Sequence, residues 1–589
     1  TISQESNIKS KSIVPMIHSE LPPRPFHFII LAACGAVLFL FLGLRALSPL
    51  EANTALAARQ ADLTRPTVTD VIQTMDLQIY PLWARTTRIG GYILGGIHEW
   101  STRLPGCLAI FGAGVLAFVT AYRKFGAHAG GVAFAAVCLS MPGILAARTH
   151  GGSAIAALLI SAAWLGWFVF GWERQRWVFA WCGSLLLVLL AALHMGWLAF
   201  LLYYMPLLFL RRPLRAWPYF ASLTHILALG FALLVFSGWF FWIHNAALPL
   251  AYLEPAFGLW PTSDFYLGRF ITFPLHCLAL FTPWIFFAWP AYCAAFQQLE
   301  KHPPFVQFLH TLILPVFLMA WLIPPFDPGH LLPLLVPAGI LCGVHYEILV
   351  RRHKNRLAQL SRSIGVIAIA PAIIGGILLI LHISQIITIG DLTTPRAVAG
   401  LSLLIAGMAL LSAFFYRQEQ LPCWLQTATP LALLTVFILC AWLPPYTALQ
   451  EDLRNTGQDL AANVPDNAKV YVLDQVFAPD LGYYLNRPLA RIPTPASIPR
   501  RKSVVYVLGG HRPPIQETRN WEAVSEPIST SERPVLRLEY KTYDALVAKL
   551  SVHDAASASD PEAVIRMYRG SLKKISPNLD TQTNETSAD

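Results

Sequence analysis

Apolar runs of about twenty residues recur from residue 27 to residue 443, and no other feature constrains the fold as much. A helix needs about 20 such residues to cross the roughly 30 Å hydrocarbon core of a bilayer. Thirteen runs qualify as spans: 27–48, 105–122, 128–147, 152–171, 178–193, 195–210, 218–243, 269–296, 305–323, 331–350, 364–389, 397–416 and 424–443. The pair 178–193 and 195–210 is short and nearly fused around His194 and Gly196. Only 13% of the 589 residues are charged, against about 25% in soluble proteins, so the chain reads as a polytopic helical membrane protein.

The basic residues set the orientation. "RKFG" (123–126), "WERQRW" (172–177), "RRPLR" (211–215), "EKH" (300–302), "RRHKNR" (351–356) and "RQEQ" (417–420) fall at alternate span ends. The other ends, 244–268, "PPFDPG" (324–329) and "GDLTTPR" (390–396), are almost free of Lys and Arg. Short basic loops face the cytoplasm, so residues 1–26 are expected inside and the C-terminal part outside, as an odd number of spans requires. The net charge of +10 follows from topology rather than from nucleic-acid binding. The first span reads as a signal anchor, because "GLRALSPL" is a poor cleavage site. The nine cysteines lie in or beside apolar runs and form no CxxC pair, as buried small hydrophobes do.

Two regions outside the 27–444 membrane domain are expected on the outer face. In the first, 49–104, the stretch 51–63 and "YPLWARTTRIGGYILGGI" read as short helices in the membrane interface. In the second, 445–550, "AKVYVLD", "APDLGYYLNRPLARI" and "KSVVYVLGG" alternate strand and helix and imply a small α/β domain. Residues 551–589 are polar and read as a disordered tail. HExxH, GxSxG and Walker patterns are absent, and no GxGxxG follows a strand. A transporter would want two matching halves, which the spans do not form.

The order of several segments resembles the GT-C lipid-linked glycosyltransferases, among them the aminoarabinose transferase and protein O-mannosyltransferase relatives. "LEANTALAARQADL" (50–63) is similar to the Ala/Arg-rich helix that opens that family's first outer loop, and "IYPLWARTTRI" and "STRLPGCLAI" follow in the family's order. "YRKFGAHAGGVAFAAVCLSMPGILAARTHGGSAIAALL", "FTPWIFFAWPA", "PPFDPGHLLPLLVPAGI" and "APDLGYYLNRPLARI" continue it, so the likeness covers most of 27–510. The resemblance implies transfer of a sugar from a polyprenyl-phosphate donor to a lipid or protein acceptor at the outer face of a bacterial inner membrane. A carboxylate would orient or deprotonate the acceptor hydroxyl, and cations would stabilise the departing phosphate.

The departures fall on the chemistry. Leu50 stands where the family has its first-loop Asp, Ile79 replaces the Lys of its Lys-Pro-Pro stretch, and Gly152 or Ser153 replaces the second-loop acid. Glu51 then has two readings: a relocated catalytic base, or a carboxylate favoured by a helix N-terminus. Loss of the base would leave a non-catalytic, lipid-holding or assembly protein. Arg59, Arg85, Arg88, Arg103 and Arg148 lie on the outer side, against the positive-inside trend. Of these, Arg59, Arg85, Arg88 and Arg148, with His330, are the candidate ligands of a lipid phosphate; ordinary headgroup contact or a structural ion pair is the alternative. His194, His225, His276 and His382 lie within spans, and His150 at an outer end. Glu51, Asp62, Asp70 and Asp76 share a loop without a spacing that puts them on one face, so no metal or other cofactor is expected, a divalent ion at the phosphate staying open.

Overall fold

Helix α1 (Pro25–Ala36) and one 3₁₀ turn (Val37–Phe39) make up the first span, which stops well short of the run 27–48. Leu40 is already extended, at φ −73° and ψ 138°. The computed structural model describes residues 25–40, 42–43, 47, most of 51–59, 81–149, 151–210, 214, 217–244, 263–281, 284–288, 299–322 and 328–352. It also describes short segments between 454 and 572. The expected spans 364–389, 397–416 and 424–443 lie outside the described residues.

Helices α2 (Pro81–Ile93), α3 (Glu99–Phe125), α4 (Ala127–Cys138), α5 (Met141–Thr149) and α6 (Gly151–Gly166) follow. Then come α7 (Trp177–Met195), α8 (Leu198–Leu208), α9 (Leu223–His244), α10 (Ser263–Leu280), α11 (Pro303–Leu322) and α12 (Leu335–Arg352). Among the described residues, five helices are long and apolar enough to cross a membrane, or six if the bent pair α4–α5 counts as one. The chain is a multi-pass membrane protein.

The run 128–147 is not one straight span, since α4 and α5 meet at 51°. Ser140 ends the first helix and starts the second, its Oγ accepting the Gly143 N–H at 3.4 Å. Pro142, without an N–H, cannot continue the α4 ladder. The pair 178–193 and 195–210 does form two helices, turned at Gly196, whose φ of +63° suits glycine. With 11 residues, α8 rises only about 16 Å, half the hydrocarbon core.

Small residues set the core. In α4 every residue from Ala129 to Cys138 is buried, as a helix apolar all round must be. It packs between α3 and α12. A Cβ on Gly343 of α12 would lie 2.3 Å from the Ala129 carbonyl oxygen, and one on Gly339 3.0 Å from that of Ala133. The Gly339–Gly343 spacing therefore brings two backbones into contact, the small-xxx-small device of membrane helices.

The basic loops gather at one end of this unit. Lys124 at the end of α3 pairs with Glu173, the last residue of a π-helical turn (Trp167–Glu173) that continues α6. Lys124 also lies 4.6 Å from the Phe305 ring centroid, at the start of α11. Lys301 and Arg351 both pair with Glu347 of α12, the latter at 3.3 Å. Tyr219, just after "RRPLR", stacks on Trp177 at 3.7 Å between centroids. Residues from five loops that the sequence sorted by charge thus meet at a common face.

Half-buried Glu300 lies at this end, and loss of water raises its carboxyl to about 7 from about 4.5. Between those values the folded state holds more protons than the unfolded one, so this group lowers stability as pH rises from about 4.5 to about 7. Glu300→Gln is expected to remove that decline, its advantage over wild type growing up to pH 7 and then levelling. Thermal unfolding in detergent from pH 5 to 8 checks it; parallel profiles for the two proteins would sink it.

The chain divides into two compact units, and the second comprises chiefly 449–538 and 544–589. Its strands are β1 (Val470–Leu473), β2 (Leu489–Ile492), β3 (Val504–Gly509), β4 (Arg519–Ala523), β5 (Ile528–Ser529) and β6 (Val564–Leu572). The sheet order is β2-β1-β3-β6-β4, with β5 beside β6. Helix α13 (Pro479–Leu485) connects β1 to its parallel neighbour β2, and β3 is also parallel to β1. Strand β6 lies inside 551–589, the stretch expected to be disordered. "VIRMYRGSL" instead pairs antiparallel with β3 and β4, which meet its backbone hydrogen-bonding needs on both edges.

Candidate functional site

The outer loop returns to the bundle at the start of α3. His98 caps that helix, its N–H donating to Ser101 Oγ at 2.9 Å. One turn on, buried Arg103 reaches back 52 residues to Glu51. Its Nε donates to Oε1 at 2.7 Å and its Nη2 to Oε2 at 3.2 Å, the two-pronged geometry that makes guanidinium–carboxylate pairs strong. Its third arm, Nη1, donates to the Leu42 carbonyl. Glu51 is 0% exposed and Arg103 2%.

The stretch that leaves α1 is held in the same way. Arg148, in the last turn of α5, donates to the carbonyls of Leu40 and, at 3.5 Å, of Leu38. The Cys107 thiol donates to the Leu38 carbonyl at 3.2 Å. Carbonyls of residues 38, 40 and 42 therefore meet donors from α3 and α5. Orphan carbonyls past a helix end need such partners when buried. This is why the first span can stop at Phe39 within the protein.

Described residues of 51–59 are helical, and Glu51, Ala52, Thr54, Ala55, Leu56 and Ala58 are all buried. The sequence suggested a helix lying in the lipid interface; this one is enclosed by protein, its alanines allowing close approach. Half-buried Arg59 donates to the Ile97 carbonyl at 3.0 Å, which ties the helix end to the loop before α3.

Helix α2 is two-faced. Trp83, Thr87 and Gly91, four residues apart, are buried. Trp83 Nε1 donates to the Thr102 carbonyl at 3.2 Å, and its ring lies on Gly151, where a Cβ would come within 2.6 Å of that nitrogen. The opposite face carries Arg85, Arg88, Ile89, Tyr92 and Ile93, all exposed. Cations interleaved with an aromatic and two isoleucines suit a headgroup boundary.

His330 is half-buried in a 3₁₀ segment (Pro328–Leu334) that packs against α5 and α6. Ser161 of α6 donates to the Pro333 carbonyl at 2.9 Å. Glu51, Arg103 and Arg148 are thus joined through residues 38–42, and Arg59, Arg85, Arg88 and His330 stand on elements packed around them. Glu51, Arg59, Arg103, Arg148 and helix α2 lie at the end of α3 remote from Lys124, about 30 Å along a helix of that length. Gly152 is buried and Ser153 half-buried in the first turn of α6, while Leu50, Ile79 and His150 lie outside the described residues. His225 belongs to another cluster: its ring nitrogens meet Tyr204 Oη at 2.8 Å and the Phe220 carbonyl at 2.7 Å. His194 is buried at the C-terminus of α7, His276 is half-buried in α10, and His382 lies outside the described residues. Among the described residues no three His, Cys, Asp or Glu side chains come together as a metal site would need.

No protein-family model matches the sequence, and no curated protein matches it. Solved structures do. ArnT from Cupriavidus metallidurans bound to undecaprenyl phosphate is similar at TM-score 0.63 and 17% identity, over 83% of this chain and 94% of that one. The apo state of the same enzyme gives TM-score 0.63 over 82% and 92%. The oligosaccharyltransferase of Archaeoglobus fulgidus, tethered to an acceptor peptide, gives TM-score 0.41 at 12% identity, over 80% and 64%. The chain has a GT-C fold. Its particular likeness is to the architecture of the aminoarabinose transferase ArnT.

Proposed function

We propose that this protein is a GT-C membrane glycosyltransferase that moves a sugar from a polyprenyl-phosphate donor to a lipid or protein acceptor. Transfer takes place on the outer face of the inner membrane, with the N-terminus cytoplasmic and the second unit extracytoplasmic. One observation carries the reading: the fold likeness to an enzyme that holds undecaprenyl phosphate extends over 83% of this chain. In the reaction the acceptor oxygen attacks the anomeric carbon, the bond from that carbon to the phosphate oxygen breaks, and the phosphate leaves with the electron pair. Glu51 takes the hydroxyl proton. A carboxylate oxygen has two lone pairs, so one that accepts from a guanidinium can also accept from a hydroxyl. Arg85 and Arg88 on the open face of α2, with Arg59, Arg148 and His330, supply positive charge to the departing phosphate.

A second reading has a specific observation in its favour. Glu51 is fully buried and both of its oxygens are engaged by Arg103. A carboxylate so held serves a non-catalytic protein that keeps the scaffold and the lipid but transfers nothing.

The test uses purified protein in lipid nanodiscs, radiolabelled polyprenyl-phosphate sugars and membrane extract as acceptor. Wild type is expected to transfer label, and Glu51→Gln to lose about 10²–10⁴-fold in rate, the worth of general-base help. Full activity in Glu51→Gln would remove Glu51 from the chemistry. Tight polyprenyl-phosphate binding with no transfer by wild type would establish the second reading.

A further inference from the structure

We infer that Arg103 is the positioning residue of this site, and that it fixes the Leu42 backbone and the Glu51 carboxylate relative to each other. The catalytic consequence rests on the transferase reading above; the structural one does not. Contacts from the stretch after α1 and from the helix at 51–59 converge on one side chain. Arg103 takes Glu51 on two arms and the Leu42 carbonyl on the third. A guanidinium is planar, with its donors in a fixed fork, so the three bonds set the carboxylate plane and the position of the Leu42 backbone together. Arg103 itself cannot drift, because it sits in the second turn of α3 behind the His98 cap and is 2% exposed. Arg148 and Cys107 hold the Leu38 and Leu40 carbonyls just upstream, so those two carbonyls keep their donors when Arg103 is changed. A lysine would keep the charge but is a point donor on a flexible stem, unable to serve both oxygens and the carbonyl in one plane.

The test compares wild type, Arg103→Lys and Arg103→Gln in nanodiscs by hydrogen–deuterium exchange and by sugar transfer. In Arg103→Lys, exchange at residues 42–52 is expected to speed up about tenfold or more, while α4, α6 and α12 keep wild-type protection. If wild type transfers sugar, kcat is expected to fall about 10²-fold with the donor KM within about twofold, as a misplaced reacting group predicts. Unchanged exchange at 42–52 would overturn the inference whether or not wild type is active. So would a uniform rise through the bundle, which marks a general packing residue. A raised donor KM with kcat retained would overturn it too, since Arg103 would then be a phosphate ligand. Absence of transfer by wild type counts against the transferase reading alone, and the exchange pattern still decides the role of Arg103. Should Arg103→Lys fail to fold, Glu51→Gln, which keeps shape and loses charge, is expected to show the same local acceleration, and its absence has the same force.

Discussion

Arg103→Ala is expected to destabilise the membrane unit by about 3–5 kcal/mol, the cost of leaving one member of a buried ion pair without the other. Its carboxylate partner has no exposed surface on which water could replace the guanidinium. The Leu42 carbonyl loses a donor in the same step. Glu51→Ala is expected to cost a similar amount, by stranding the guanidinium. The double variant Glu51→Leu/Arg103→Met should recover most of the loss, because apolar groups of similar volume need no partner and neither charge remains to be desolvated. Chemical or thermal unfolding of the four proteins in one detergent makes the comparison. If the double variant were no more stable than Arg103→Ala, the ion pair would not be the source of the effect. Such a result would point to the packing of the long side chains.

Gly343→Leu is also expected to be strongly destabilising, for a different reason. A first carbon on Gly343 already falls 2.3 Å from the Ala129 carbonyl oxygen, and the obstacle is backbone, which cannot rotate away as a side chain could. Overpacking of this kind costs about 1–3 kcal/mol and more where helices must separate. Alanine has the better helix propensity by about 1 kcal/mol, so Gly343→Ala tests the clash against the propensity gain. We expect the clash to win, and Gly339→Ala/Gly343→Ala to fall further, since both sites approach α4. Gly166, where nothing lies within 4 Å, is the control: alanine there should be neutral or stabilising. A Gly343→Ala protein as stable as wild type would mean that α4 and α12 have room to part.

The strands of the second unit show how sequence pattern and structure diverge. The strand runs near 470 and 505 carry their own β-branched signature, but "VIRMYRGSL" sits in a polar stretch whose composition argues for disorder. Its place between β3 and β4 comes from pairing with residues such as Val504 (to Ser571) and Arg519 (to Leu572), far along the chain, which local composition does not encode. The bend at Ser140 was visible only as a proline inside an apolar run, and such a proline also fits an unbroken span. For the site, the outer arginines were conspicuous because they break the charge rule of loops. Their partners were not, since Arg103 finds Glu51 at 52 residues and Arg148 finds Leu40 at 108.

By itself the sequence determined the solvent. Repeated apolar runs can satisfy their backbone only as helices in a bilayer, and their basic ends must share a face because positive charge is held on one side. That much is local and additive, so it can be read one segment at a time. Only the tertiary structure decided where the first span ends, which arginine holds which carbonyl, and that the Glu51 carboxylate is clasped within protein. These depend on distances between segments far apart in the chain. A guanidinium donates alike to a carboxylate, a phosphate or a carbonyl, and only the fold says which of them lies within hydrogen-bond reach.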